Sequence, residues 1–83
     1  MSDFSDFINI MFETRDKKLL EDFLLGVTTP RERKELAMRV NIVNRLIEGI
    51  PQQKIARDLG VGVSTVSRGS KELSQGRFKV LKV

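Results

Sequence analysis

The residues best suited to recognise another molecule lie in the last third of the chain, on the expected outer face of one short helix. They are small hydroxyls and a guanidinium: Ser64, Thr65, Ser67 and Arg68. Hydroxyls reach phosphate oxygens or base edges without bulk, and an arginine can donate two parallel hydrogen bonds to guanine or to another anion. These residue types predict contact with DNA rather than a reaction.

The composition argues against catalysis. The chain contains no Cys and no His, which excludes Cys nucleophiles, His general bases and Cys/His metal or redox sites. Carboxylate pairs such as Glu32 and Glu35 are flanked by Lys and Arg, so solvated ion pairs explain them better than acid–base chemistry. Gly60 and Gly62 follow no strand and lack the third glycine of a dinucleotide fingerprint. We therefore expect no catalytic residue, no metal and no cofactor, in a protein that is not an enzyme.

Residues 52–71 have the spacing of a helix-turn-helix. The positions expected to face inward are small or apolar: Ile55, Ala56, Leu59, Val61 and Val66. Gly60 stands where the chain must turn, because glycine accepts a positive φ without steric cost. An ordinary helical hairpin with a glycine turn is the alternative, but it does not require all of these matches at once.

The charge of the chain is unevenly distributed. Residues 49–83 carry seven Lys or Arg and two Asp or Glu, a net charge of +5, whereas residues 1–48 carry eight and nine, a net charge of −1. A basic half favours a polyanionic partner. A solvated basic surface is the alternative from charge alone, and the helix-turn-helix spacing favours nucleic acid.

The core that positions these residues must be small. A chain of 83 residues forms one domain and buries only about 60–65% of its unfolded surface. Because the sequence offers no disulfide and no Cys/His metal site, oligomerisation is the remaining way to enlarge the core. No apolar run approaches a membrane span, and the acidic N-terminus lacks the layout of a signal peptide. We expect a cytoplasmic protein with no membrane partner.

Apolar residues recur at helical spacing in the first third of the chain. Residues 4–12 and 19–24 each present one apolar face, and charged residues separate them. This pattern fits either two short helices or one bent helix. Gly26 is expected to end this section in a left-handed conformation.

A stronger helix start follows. Thr29 offers an N-cap hydroxyl, Pro30 suits the first helical position and Glu32 completes a capping box. They predict a central helix over about residues 30–48, ended by the Gly-Ile-Pro that follows. Its apolar stripe is wide enough to pack on several partners, including another subunit.

The predicted fold class is all-α. Residues 78–83 alternate enough to pair as an edge strand, although a frayed terminus is the expectation. We divide the chain into a helical dimerisation core (1–50), a helix-turn-helix reading head (51–73) and a flexible basic tail (74–83).

The chain closely resembles the tryptophan repressor family. The matching residues are Thr-Pro-Arg-Glu-Arg at 29–33, Arg-Val-x-Ile-Val at 39–43, the stretch from Gln52 to Gly60, and Val-Ser-Arg-Gly-Ser at 66–70. The Arg-Gly-Ser after the second helix is the specific part, since other helix-turn-helix proteins lack it. The resemblance implies a transcriptional repressor in which two chains intertwine their N-terminal and central helices into one homodimer.

The resemblance also implies a ligand, L-tryptophan, that acts as corepressor for a palindromic double-stranded DNA operator. Arg39 and Arg68 would flank the indole ring, and Arg68 would also pair with the ligand carboxylate. Gly69 would let the ligand approach the backbone, and Thr29 would come from the partner chain. The residues implied at the DNA are Gln52, Gln53, Ala56, Val63, Ser64, Thr65 and Ser67.

Several positions depart from the family pattern. The linker before the motif is one residue shorter, and Gly26 and Thr28 replace two leucines that help close the pocket. Glu72 replaces a serine that helps hold the ligand amino group, and its carboxylate would either bind the ammonium or pair with Arg68. A regulator of the same fold with another ligand or none is therefore an alternative. A helical protein-interaction module is the alternative from a different class.

Overall fold

The computed structural model describes residues 3–82; residues 1, 2 and 83, which belong to the predicted core segment and tail, lie outside this range. The described residues form helices and no strand: α1 (Asp3–Glu13), α2 (Lys17–Val27), α3 (Pro30–Ile47), α4 (Gln52–Leu59), α5 (Val63–Ser74) and a 3-10 helix (Lys79–Lys82). The all-α prediction is confirmed. The first section consists of two short helices rather than one bent helix.

The chain divides into two compact units between Arg33 and Lys34. This division falls inside the segment 1–50 that the sequence suggested as one core. The reason is that the second half of α3 packs with the helices that follow it, as described below. The second unit therefore includes part of the central helix together with the predicted reading head.

The first unit leaves much of its apolar surface uncovered. The ring of Phe7 lies 6.2 Å from that of Phe4 and 5.8 Å from that of Phe23. Neither α1 nor α2 contains a buried residue, and the side chain of Phe12 is 86% exposed and that of Phe4 69% exposed. Within a single chain these helices present an apolar surface to solvent.

The prediction that Gly26 ends α2 in a left-handed conformation is wrong. Gly26 lies inside α2, which continues to Val27 and is capped by Thr28 in an extended conformation. The backbone N–H and the hydroxyl of Thr28 both donate to the carbonyl of Leu24, and Arg33 Nη1 donates to the carbonyl of Thr28 at 2.8 Å. Because these bonds satisfy the helix end, no left-handed residue is needed there.

The start of α3 confirms the predicted capping box. The backbone N–H of Glu32 donates to Oγ1 of Thr29 at 3.1 Å, and the backbone N–H of Thr29 donates to Oε1 of Glu32 at 2.8 Å. At its other end, Gly49 has a φ of +86°, and the amides of Gly49 and Ile50 donate to the carbonyls of Leu46 and Arg45. This is a Schellman cap, which requires a residue in the left-handed region.

The core of the second unit lies where α3, α4 and α5 meet. Its buried members are Ile42 on α3, Ile55 and Ala56 on α4, and Val66 on α5. Partly buried side chains surround them: Met38, Leu46, Ile50, Leu59 and Val61. With Val43, these four are the buried residues of the part of the chain that the structure describes, so the core is small for a chain of this length.

The segment predicted as a flexible basic tail begins with a second helix cap. Gly76 has a φ of +90°, and the amides of Gly76 and Arg77 donate to the carbonyls of Leu73 and Glu72, a second Schellman cap. The chain reverses at this cap, and Phe78 follows with a φ of 65°. Lys79–Lys82 then form a 3-10 helix rather than an edge strand.

Candidate nucleic-acid interface and adjoining cleft

The turn between α4 and α5 has the geometry that the sequence predicts. Gly60 adopts a left-handed conformation (φ 68°, ψ 35°), and its N–H donates to the carbonyl of Ala56. The N–H of Val61 donates to the same carbonyl at 3.0 Å, and Gly62 in an extended conformation precedes α5. The Ala56 carbonyl at the end of α4 is thus satisfied by two N–H groups. The chain turns tightly enough for Val66 to join Ile55 in the core.

The outer face of this motif carries most of the residues that the resemblance placed at DNA. The exposed members are Gln53, Val63, Ser64, Thr65 and Ser67, and Gln52 is half-buried. Ala56 differs, because only 8% of its surface is exposed and it belongs to the core. The structure therefore gives Ala56 the packing role that its size predicts, at the crossing of α4 and α5.

One hydrogen bond joins the two helices across this outer face. Ser67 Oγ donates to Oε1 of Gln52 at 2.8 Å. The bond leaves the amide NH₂ of Gln52 and the lone pairs of the Ser67 hydroxyl available for other partners. Both side chains are therefore oriented while retaining groups that can contact a phosphate or a base edge.

Two of the seven cations counted in the basic half of the chain, Lys54 and Arg57, lie on α4. Lys54 Nζ lies 3.0 Å from Oδ2 of Asp58 in an exposed pair one helical turn apart. The hydrogen bond from Lys54 holds the pKa of the Asp58 carboxyl below its usual value, and desolvation opposes this shift. Arg57 on the same helix is exposed and adds positive charge beside the motif.

A cleft of about 680 Å³ lies between α3 and α5. Its lining includes four of the five residues that the resemblance assigned to a ligand: Arg39, Arg68, Gly69 and Glu72. Apolar side chains complete much of the wall: Leu36, Val40, Ile42, Val43 and Phe78. Ser64 and Thr65 also line it, so the cleft adjoins the beginning of the exposed helix.

Two guanidiniums are available in this cleft. Arg39 on α3 and Arg68 on α5 are both exposed, and neither makes a hydrogen bond or ion pair with another residue in the range 3–82. Glu35 lies one helical turn before Arg39, but the two side chains are not paired with each other among the described residues. Unpaired guanidiniums over an apolar wall suit a ligand with an anionic group and a flat ring.

The other two cleft residues have partners within the chain. A Cβ on Gly69 would lie 3.4 Å from Cγ2 of Ile42 and 3.5 Å from Cδ1 of Leu46, so the missing side chain faces α3. Glu72 pairs with Arg77, whose Nε lies 3.6 Å from its Oε1. Of the two outcomes considered for Glu72, pairing with Arg68 is not found among the described residues.

Thr29 lies in the first unit, where its hydroxyl accepts the capping bond from Glu32. Phe78 is a cleft residue that no pattern in the sequence indicates as part of a site. Its position depends on the chain reversal at Gly76 and not on any helical periodicity. Gly76, a residue type that permits a turn, is the one feature of the sequence that indicates this chain reversal.

The described residues contain no group of Asp, Glu, Cys or His able to hold a metal ion. None of their helices is both long and apolar enough to cross a membrane.

Comparison with known protein families identifies the family of this chain. The family model described as "Trp repressor protein" matches residues 2–81. The chain belongs to the Trp repressor family. It is accordingly a DNA-binding transcriptional repressor, and the exposed face of α4 and α5 is the candidate nucleic-acid interface of a Trp repressor family member.

Curated relatives agree with the family assignment. A Trp operon repressor homolog of Vibrio campbellii is 39% identical over 72 residues, which cover 86% of this chain and 72% of the relative. The homolog of Vibrio cholerae is 37% identical over 73 residues, covering 87% and 71%. That of Aliivibrio fischeri is 38% identical over 73 residues, covering 87% and 68%.

Proposed function

We propose that this repressor acts as a homodimer and binds a palindromic operator with L-tryptophan as its corepressor. The observation that carries the proposal is the cleft between α3 and α5, which brings Arg39, Arg68 and Glu72 together beside an apolar wall. Its volume of about 680 Å³ is within the range of small-molecule sites, roughly 300–1,000 Å³.

The chemistry of the cleft suits an amphipathic amino acid. The planar guanidiniums of Arg39 and Arg68 can stack on the faces of an indole ring, and Arg68 can also donate to the ligand carboxylate. The carboxylate of Glu72 can accept from the ligand ammonium. Leu36 and Val40 offer apolar contact to the ring.

The position of the cleft suggests how a ligand would control DNA binding. Ser64 and Thr65 are both cleft residues and members of the exposed face of α5. A ligand between α3 and α5 would restrict the orientations of α5 and favour the one that fits the major groove. The ligand and the operator would then each raise the other's affinity, as reciprocal coupling requires.

The homodimer is proposed from the uncovered surface of the first unit. Because α1 and α2 bury no residue, their exposed Phe4, Phe12 and Leu19 need a cover, and a second copy of the same helices would supply it. We expect sedimentation equilibrium to give a dimer and Phe12→Glu to shift it toward monomer. Gln53→Glu, with the same change in charge on α4, should leave the dimer intact.

The ligand is tested most directly through the absence of Trp and Tyr from the chain. Added L-tryptophan is the only strong emitter, so a change in its emission on titration with protein measures binding, with calorimetry as a check. We expect saturable binding. If neither the emission nor the heat shows binding at millimolar tryptophan, the corepressor proposal is wrong and the DNA-binding function is unaffected.

A pair of arginine variants separates a ligand role from a general charge effect. Arg68→Ala should lower the affinity for tryptophan at least about tenfold, because a charge-assisted pair is lost. Arg57→Ala removes the same charge outside the cleft and should weaken DNA binding while leaving the affinity for tryptophan unchanged. Equal losses of tryptophan affinity in the two variants would count against Arg68 as a ligand residue.

One observation favours a second candidate, a repressor of the same fold that answers to a different ligand. Glu72 places a carboxylate in the cleft, so an amine without a carboxylate is also a chemically reasonable ligand. Tryptamine in the same titration distinguishes the two. Tighter binding of tryptamine than of tryptophan would favour the second candidate.

A protein-interaction module, the alternative from another class, predicts no salt-sensitive binding to double-stranded DNA. A repressor that neutralises phosphates should instead lose affinity steeply, with a log–log slope of about −0.9 for each phosphate contact.

A further inference from the structure

We infer that Phe78 is a ligand-contacting residue that selects for an aromatic side chain, and that the chain reversal after α5 thereby adds a wall to the ligand cleft. This inference rests on the proposed function and names the part of the ligand that the additional wall recognises. The residue lies outside the matching stretches that carry the family resemblance, the last of which is Val-Ser-Arg-Gly-Ser at 66–70. It is assigned from its position in the structure.

The segment is brought to the cleft by a defined chain reversal. The Schellman cap at Gly76 turns the chain back at the end of α5, and the carbonyl of Glu72 accepts the N–H of Arg77. The side chain of Arg77 lies 3.6 Å from the carboxylate of the same Glu72. Two contacts to one residue thus fix the segment at the point where it leaves α5.

Phe78 holds an unusual backbone conformation. Its φ of 65° makes it the one residue other than glycine with a positive φ among those described, and side chains with a Cβ rarely adopt this region without compensating contacts. Its carbonyl accepts the N–H of Leu81 at 3.0 Å. The ring is half-buried and lines the cleft, while Val80 two residues on is 78% exposed.

The ring does not fill the cleft. The cleft retains about 680 Å³ with Phe78 in its wall, which leaves room for a ligand of the size of an aromatic amino acid. An aromatic ring prefers an edge-to-face or offset contact with another ring over contact with an aliphatic chain of equal area. Phe78 therefore adds a preference that the guanidiniums and aliphatic side chains do not supply.

The test uses the full chain, three substitutions of Phe78 and one control substitution in the same segment. Phe78→Ala should weaken L-tryptophan binding roughly five- to tenfold, and Phe78→Leu, which keeps apolar volume but no ring, roughly two- to fivefold. Phe78→Tyr should restore most of the affinity in calorimetry. Val80→Ala, in the same segment but outside the cleft, is the matched control and should bind as the unchanged protein does.

A measurement on the unchanged protein complements the variants. Hydrogen exchange at the amide of Leu81, which is bonded to the Phe78 carbonyl, should slow on addition of L-tryptophan, because the ligand holds the segment against the cleft. If the exchange rate is the same with and without L-tryptophan, the proposal that this segment forms a wall of the ligand cleft is wrong.

The two proposals fail differently. Tryptophan binding that is unaffected by Phe78→Ala and Phe78→Leu would overturn the role of Phe78 and leave the corepressor standing. A failure of the unchanged protein to bind tryptophan would overturn the corepressor and, with it, this inference.

Discussion

Ser67 and Gln52, which are fifteen positions apart, are joined by a 2.8 Å hydrogen bond from Ser67 Oγ to Gln52 Oε1 on the outer face of the helix-turn-helix. The bond connects the first residue of α4 with the exposed side of α5. It therefore fixes the spacing of the two helices at the surface, whereas Ile55 and Val66 fix it in the core.

A double-mutant cycle measures this bond. Ser67→Ala and Gln52→Ala should each lower the free energy of unfolding by about 0.5–1 kcal/mol, and the double variant should lose about 0.5 kcal/mol less than their sum, since the bond is lost only once. Urea denaturation gives the values. Ser74→Ala removes an exposed hydroxyl bonded only to its own helix and is the control. Strict additivity would show that the bond contributes nothing in solution.

Two glycines should respond to alanine in opposite ways. Gly60→Ala should destabilise the protein by about 1–2 kcal/mol, because its φ of +68° is costly for a residue with a Cβ. Gly69→Ala should be neutral or stabilise by up to about 1 kcal/mol, because alanine favours the helix and its Cβ would meet Ile42 at an ordinary contact distance of 3.4 Å. Thermal unfolding measures both.

Gly60→Asn is the control for the turn, since asparagine tolerates the left-handed region better and should cost less than alanine. A destabilisation by Gly69→Ala as large as that by Gly60→Ala would contradict the packing seen at α3.

The capping box at the start of α3 gives a third prediction. Thr29→Ala should lower the free energy of unfolding by about 1 kcal/mol, because the N–H of Glu32 loses its acceptor. Thr29→Ser keeps the hydroxyl and should be close to the unchanged protein. If alanine and serine prove equally stable in urea denaturation, the cap is not formed in solution.

The exposed Lys54–Asp58 pair predicts a small dependence of stability on pH. Because the folded-state pKa of Asp58 lies below 3.8, the ionised carboxylate stabilises the fold above that pH. The contribution is lost as the pH falls through the lowered value. Asp58→Asn should therefore have a slightly lower midpoint of thermal unfolding at neutral pH and match the unchanged protein in stronger acid.

The same comparison in a Lys54→Met background removes the donor. There the difference between Asp58 and its Asn variant should be smaller at neutral pH, because the hydrogen bond from Lys54 is the main cause of the lowered pKa. If the difference in the midpoint of thermal unfolding between Asp58 and its Asn variant is not smaller in the Lys54→Met background, charges other than Lys54 cause it.

Much of the recognition motif is predictable because its determinants are local. Gly60 turns the chain because its own backbone permits a positive φ, and Ile55 and Leu59 share a face because of the helical repeat. The box formed by Thr29 and Glu32 involves residues three positions apart. Each of these features depends on interactions within one or two helical turns, and the structure contains all of them.

The division at Arg33 and Lys34 has a different origin. Local signals place residues 30–48 in one helix, and the structure agrees. Local signals do not specify that Ile42 packs with Ile55 and Val66. Nor do they specify that the beginning of the same helix belongs to the other unit. Which part of a helix joins which core depends on partners distant in sequence.

The sequence by itself determined the all-α fold class, the central helix, the helix-turn-helix, the caps at Thr29 and Gly60, and the hydroxyls on the outer face, because short-range sterics and helical periodicity set all of these. The tertiary structure decided that Gly26 stays within α2 and that Phe78 lines the cleft. It also paired Glu72 with Arg77. The physical reason is that burial and pairing are settled by whichever groups the folded chain brings together, and neither residue type nor spacing specifies them.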